Sequence, residues 1–166
     1  SVGFFLNDEM DAFATNPDAP NRTGLNQGGH NAIVPGKRMA SSVLPTIILD
    51  RAGRPLLLVG ARGGPRIITS VTQTIVNVID HRMGIADAIN APRIHHQAVP
   101  DSIFFERRGF SEAALDSLRA LGWSVVPYGR SAELPGNIGS VNGILREGAR
   151  WVAYSDPRSG ARAAAK

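Results

Sequence analysis

The chain has 166 residues, 43% of them hydrophobic and 19% charged, which suits a single globular domain over 1–166 with a sizeable core. It carries a net charge of +4 and no cysteine, so disulfides, thiolate nucleophiles and thiolate metal sites are excluded. Sixteen of the eighteen basic residues are scattered arginines and aromatics make up 6%, without the one-sided basic face and stacking rings of a nucleic-acid surface; no apolar run reaches the roughly 18 residues of a membrane-spanning helix.

The chain opens on Ser1 with neither an initiator Met nor a signal-peptide pattern, as a piece of a longer product would. Residues 2–7 predict a short strand. Asp8, Glu9 and Asp11 then place three carboxylates within four residues, either as an acidic helix start that suits the helix dipole or as acceptors for a cation. Residues 15–29, rich in Asn, Pro, Gly and Asp, predict a long loop able to border a cleft. Ser41 and Ser42 are adjacent hydroxyls that either satisfy nearby backbone or hold a ligand.

The apolar runs 46–49 and 56–59 predict two strands covered on both faces. Residues 46–50 pair with 55–60 as a hairpin through a turn in which Gly53 takes positive φ. That pairing brings Ser41-Ser42, ahead of the first strand, and Gly63-Gly64, after the second, to one end of the sheet. Pro65 suits a first helical residue, and Ile67, Ile68, Val71, Ile75, Val78 and Ile79 follow at helical spacing to about His81. Gly63-Gly64 reads in two ways. It is a tight strand-to-helix turn, or it lets another atom approach N–H groups at the positive end of a helix, as in an oxyanion hole.

Residues 84–91 predict a short helix stopped by Pro92, and 93–97 a strand. Consecutive strand residues face opposite ways, so His95 and His96 are poor partners for one ion and suit structural hydrogen bonds better; no metal or cofactor site is expected. A strand over 103–106 follows. Ser111 then caps a helix through Leu121, with Leu115, Leu118 and Leu121 on one side and Gly122 ending it. Residues 123–126 alternate as a half-buried strand, 128–139 form a loop, and 140–146 and 150–154 make a hairpin. Asp156-Pro157-Arg158 reads as an ion-paired anchor, with 161–166 frayed.

The runs Leu6-Asn7-Asp8-Glu9-Met10-Asp11, Pro35-Gly36-Lys37-Arg38, Ser41-Ser42, Pro45-Thr46, Gly63-Gly64-Pro65-Arg66-Ile67-Ile68-Thr69, Asn90-Ala91-Pro92-Arg93-Ile94-His95-His96-Gln97 and Ser155-Asp156-Pro157-Arg158-Ser159 stand in one order along the chain. With them the chain resembles the small, C-terminal subunit of the γ-glutamyltransferases, also called glutathione hydrolases. The resemblance implies an α/β fold, part of the four-layer α-β-β-α sandwich of the N-terminal-nucleophile hydrolases. It implies a self-cleaving precursor whose new N-terminal Thr is nucleophile and, through its own amine, general base. That Thr is not in this chain, so residues 1–166 alone are expected to be inactive. On matching positions, Gly63 and Gly64 would form the oxyanion hole, Ser41 and Ser42 would bind the substrate α-carboxylate, and Glu9 the α-amino group. The family's second amine-binding position, usually Asp, falls on Ala12. The implied partners are a γ-glutamyl substrate such as glutathione and the large subunit of the same precursor, in a periplasmic or secreted setting. Ala12 also fits a cephalosporin-acylase-like amidase, whose acyl group lacks the amine, and a non-catalytic relative is the remaining alternative.

Overall fold

The structure is a computed structural model that describes residues 9–21, 23–25, 28–129, 136–160 and 163. The strand expected over 2–7 and most of the frayed end expected over 161–166 lie outside these residues. The chain divides into two compact units, Ser1–Ser42 and Val43–Lys166.

The first unit is built from turns. A 3-10 helix, Glu9–Ala12, leads into the long loop, and a second, Gly29–Asn31, closes it. Within the loop the Asn21 side chain accepts hydrogen bonds from the N–H groups of Thr23 (2.9 Å) and Leu25 (3.0 Å), as an Asn-rich turn does. A parallel bridge joins Ala14 to Ala32. Phe13, Ala14 and Asn31 are buried.

The second unit carries β1 (Thr46–Leu49), β2 (Pro55–Arg62), α1 (Arg66–Ile79), α2 (Ile85–Asn90), β3 (Ile94–His95), β4 (Ile103–Phe105), α3 (Glu112–Ala120), β5 (Val125–Pro127), β6 (Ser140–Glu147) and β7 (Arg150–Ser155). One sheet has the order β1-β2-β6-β7 with antiparallel neighbours, and a smaller one the order β3-β4-β5, in which β4 and β5 run parallel. A parallel pair needs a crossover, and α3 supplies it.

The β1–β2 hairpin forms as the sequence predicts, with Thr46 opposite Val59 and Ile48 opposite Leu57, and the register slips between Ile48 and Leu49. The Asp50 side chain fixes the turn by accepting from the Ala52 and Arg54 N–H groups, both at 2.9 Å, while Gly53 takes φ 75°. Helices α1 and α2 pack on one face of the larger sheet. Leu57, Val59, Val141 and Leu145 from the strands meet Ile67, Val71, Val78, Ile85, Ala88 and Ile89 from the helices in one core. Each of these Leu, Ile and Val side chains contributes about 1.5–3 kcal/mol by leaving water. Gly143 lets α2 come close, since a Cβ there would stand 2.7 Å from Ile85 Cδ1.

The expectation that β1 and β2 are covered on both faces is corrected. Both helices lie on the same side, so Ile47 and Leu49, on the other, are 63% and 54% exposed, and Ile144 and Trp151 share that open face. Two smaller differences follow from local hydrogen bonding. The strand expected over 93–97 shortens to Ile94–His95: the Arg93 N–H goes to the Glu106 carboxylate at 3.1 Å, and past His96 the chain turns, with Ala98 at φ 66° and Val99 N donating to Gln97 O at 2.8 Å. In α3, Ser111 Oγ caps the helix by accepting from Ala114 N at 3.2 Å and Leu115 is buried, but Leu121 lies past the last turn and is 75% exposed.

Candidate functional site

Strand β2 ends at Arg62, opposite Ser140 on β6, and the chain turns into α1 through Gly63-Gly64-Pro65. Both glycines have positive φ, 138° and 60°, which a residue with a Cβ seldom adopts. Space is also short at Gly63, where a Cβ would stand 2.9 Å from Gly139 Cα. The turn is closed by its carbonyls: Gly63 O accepts from Arg66 N (3.3 Å) and Gly64 O from Ile67 N (3.0 Å). Among the described residues the Gly63 and Gly64 N–H groups make no hydrogen bond. They stand at the start of a 14-residue helix, whose dipole favours negative charge there. Two uncommitted donors at such a place can stabilise an oxygen that gains negative charge during a reaction. The Arg66 guanidinium lies over the Tyr128 ring, 5.4 Å from its centroid.

The segment against which Gly63 packs is itself firmly held. Buried Ser70 places Oγ 2.7 Å from Arg66 O and 2.9 Å from Ile138 O. Arg93 Nη1 donates to Ile138 O (3.2 Å) and to Asp156 Oδ2 (2.9 Å), while Ile138 N donates to Glu106 Oε1 at 3.1 Å. Arg158 pairs with Glu106 Oε2 at 2.7 Å and Asp156 Oδ1 at 3.2 Å. Both arginines also donate to Ile89 O at the end of α2, at 2.7 and 2.8 Å. This is the ion-paired anchor read from Asp156-Pro157-Arg158. Burial alone would raise the Asp156 carboxyl; the N–H groups of Val141 and Arg158 and the Arg93 charge outweigh it and hold the carboxyl below its usual range. Burial, followed by repulsion from Arg158, lowers the Arg93 guanidinium, against the pull of Asp156.

The two adjacent histidines serve different neighbours. His95 is buried, with Nδ1 2.9 Å from Thr69 Oγ1 and Nε2 2.9 Å from Gln97 Oε1, and burial lowers its pKa, which favours the neutral ring. His96 meets Asp101 at 2.9 Å and the edge of Trp123.

The remaining predicted residues lie in the first unit. Glu9 begins the 3-10 helix Glu9–Ala12; Ser41 is exposed and Ser42 half-buried at the unit's end. One residue that the sequence reading passed over links these segments. Asn31 Nδ2 donates to Ala12 O at 2.6 Å, and Asn31 Oδ1 accepts from Ala40 N at 2.8 Å. In a loop with several Asn residues nothing in the sequence sets Asn31 apart. Gly63 and Gly64 belong to the second unit.

A mixed α/β chain whose larger sheet carries helices on one face and open apolar side chains on the other has half of the α-β-β-α layering of the N-terminal-nucleophile hydrolases. Solved structures of that class superpose on it: a crystallised γ-glutamyltranspeptidase of Helicobacter pylori is 41% identical, with a TM-score of 0.79 over 95% of this chain and 83% of that one. The model of the γ-glutamyltranspeptidase family matches residues 1–166, and the chain belongs to that family. It is 43% identical over 159 residues to the glutathione hydrolase proenzyme of Escherichia coli, and 37% over 159 residues to that of Pseudomonas aeruginosa. Each alignment covers 95% of this chain but only 26% and 27% of the relative, so the chain spans about a quarter of the length of these two proenzymes.

Proposed function

We propose that this chain supplies substrate-binding and oxyanion-stabilising groups to a γ-glutamyltransferase or glutathione hydrolase that acts by acyl transfer on γ-glutamyl amides. The observation that carries the reading is the Gly63-Gly64 turn, with both φ angles positive and its N–H groups uncommitted at the head of α1. In this reading an N-terminal Thr from outside these 166 residues attacks the γ-amide carbon, its own amine taking the hydroxyl proton. The carbonyl oxygen becomes an oxyanion held by the Gly63 and Gly64 N–H groups. The intermediate collapses as the amine departs with a proton, and water or an acceptor amine then releases the γ-glutamyl group from the Thr ester. Ser41 and Ser42 hold the α-carboxylate, Glu9 the α-amino group, and the large subunit of the same precursor completes the pocket. Residues 1–166 on their own carry no nucleophile for this chemistry and are inactive, and the enzyme works in the periplasm or outside the cell.

Replacing Gly64 by Val in the complete enzyme tests the central assignment. A side chain at φ 60° displaces the N–H where charge develops, so kcat falls about a hundredfold while KM changes little, the size seen for other oxyanion-hole donors. An unchanged kcat with a raised KM would make the turn a substrate-positioning element and refute the oxyanion role.

A second reading is favoured by one residue. Ala12 stands where the family usually has a second carboxylate, and an amidase of the cephalosporin-acylase kind, whose acyl group has no free amine, has no need of one.

A further inference from the structure

The described part of the first unit buries few apolar side chains, Phe13 and Ala14 among them, so hydrogen bonds must do much to set its shape. Asn31 is buried, and three of its hydrogen bonds reach other segments of the unit. Its Nδ2 donates to Ala12 O at 2.6 Å, its Oδ1 accepts from Ala40 N at 2.8 Å, and its carbonyl accepts from Ala14 N at 2.9 Å. The orientation of the amide follows from its partners, because a carbonyl only accepts and a backbone N–H only donates. Asp at this position loses the donor, and an aliphatic residue leaves both backbone groups without a bond.

The two side-chain bonds end at informative places. Ala12 O belongs to the last residue of the 3-10 helix that Glu9 begins. Ala40 N lies one residue before Ser41. A single buried amide therefore ties the turn that carries the amine-binding acid to the segment that carries the two carboxylate-binding hydroxyls. We infer that Asn31 is a positioning residue for recognition of the α-amino and α-carboxylate groups of the substrate, holding Glu9 and Ser41-Ser42 at the spacing of an α-amino acid. The inference rests on the roles proposed above for those three residues. Asn31 touches no substrate and takes no part in the chemical step.

The test uses the mature enzyme, with active sites counted by acylation so that incomplete self-cleavage does not enter kcat. The readouts are kcat and KM for a γ-glutamyl amide and Ki for free glutamate, which presents both α groups without being turned over. Asn31→Asp is expected to raise KM and Ki together by about tenfold, with kcat per active site within about threefold, since a lost hydrogen bond loosens placement rather than chemistry. Asn31→Gln keeps both donor and acceptor on a longer arm and should raise the same constants less. It also serves as the measured variant should Asn31→Asp not fold. Ser42→Ala is run alongside. If Ser42→Ala raises Ki while the Asn31 variants leave it unchanged, the positioning role is overturned and the substrate-binding roles stand. If Ser42→Ala leaves KM and Ki unchanged, the roles themselves are wrong, and the inference falls with them. A fall in kcat at constant Ki in the Asn31 variants also overturns it.

Discussion

In the proposed reading, Ala12 sets how strongly a free α-amino group is recognised. With Glu9 as the matching acid, the proposed pocket offers one carboxylate where the family usually offers two, and a charge-assisted hydrogen bond is worth roughly 1.5–3 kcal/mol. Discrimination for the amine should therefore be weaker by about ten- to a hundredfold, at 1.4 kcal/mol per factor of ten. Ala12→Asp in the complete enzyme is expected to raise kcat/KM for a γ-glutamyl amide and leave a glutaryl amide, which differs only in lacking the amine, level or worse. Steady-state kinetics on the two substrates measures the ratio. A ratio that does not move would mean that another group, such as Asp11, already serves as the second acceptor.

The β1–β2 hairpin and α1 were legible in the sequence because their information is local. Asp50 and Gly53 define the turn, and the Ile and Val spacing after Pro65 defines the helix. The pairing of β2 with β6 joins Leu57 to Leu145, and a contact so distant in sequence leaves no periodic trace. Which faces are covered was equally hidden, since Leu56-Leu57-Leu58-Val59 reads the same whether helices sit on one side or both. The glycine pair was legible as a motif, whereas its φ angles and its contact with Gly139 were not. Gly143 belongs to the same hidden class, having meaning only once Ile85 is seen above it. Gly143→Ala should destabilise the second unit by about 1–3 kcal/mol through overpacking. Much of that cost should vanish in an Ile85→Val background, which removes the Cδ1 the new Cβ meets. Thermal or denaturant unfolding of the four proteins of this double-mutant cycle measures the coupling; simple additivity would mean that α2 shifts instead of clashing.

The Arg93–Asp156–Arg158–Glu106 cluster ties the end of α2, the end of strand β4, the start of β6 and a 3-10 turn, Pro157–Ser159, into one body. The folded-state Asp156 carboxyl is held below its usual range, so its contribution to stability is complete above the ordinary carboxylate pKa of about 4 and is lost as pH falls through the folded value. Asp156→Asn leaves Arg93 buried without its counter-ion and should cost about 3–5 kcal/mol at neutral pH. Melting curves from pH 7 down to pH 3 should show the gap between the two proteins narrowing in acid. A constant gap would show that Asp156 acts through shape alone.

The same cluster has a consequence for behaviour in concentrated electrolyte. Its two positive and two negative groups cancel, and they are shut away from mobile ions. The pairs that Arg119 makes with Glu112 and Asp116 on α3 instead stand in solvent, the carboxylates 80% and 68% exposed. Added salt screens the outer pairs within about a Debye length of 3 Å at 1 M and leaves the inner four nearly untouched. The join between α2, β4 and β6 therefore keeps its strength in brine while the surface of α3 loses its charge pairing.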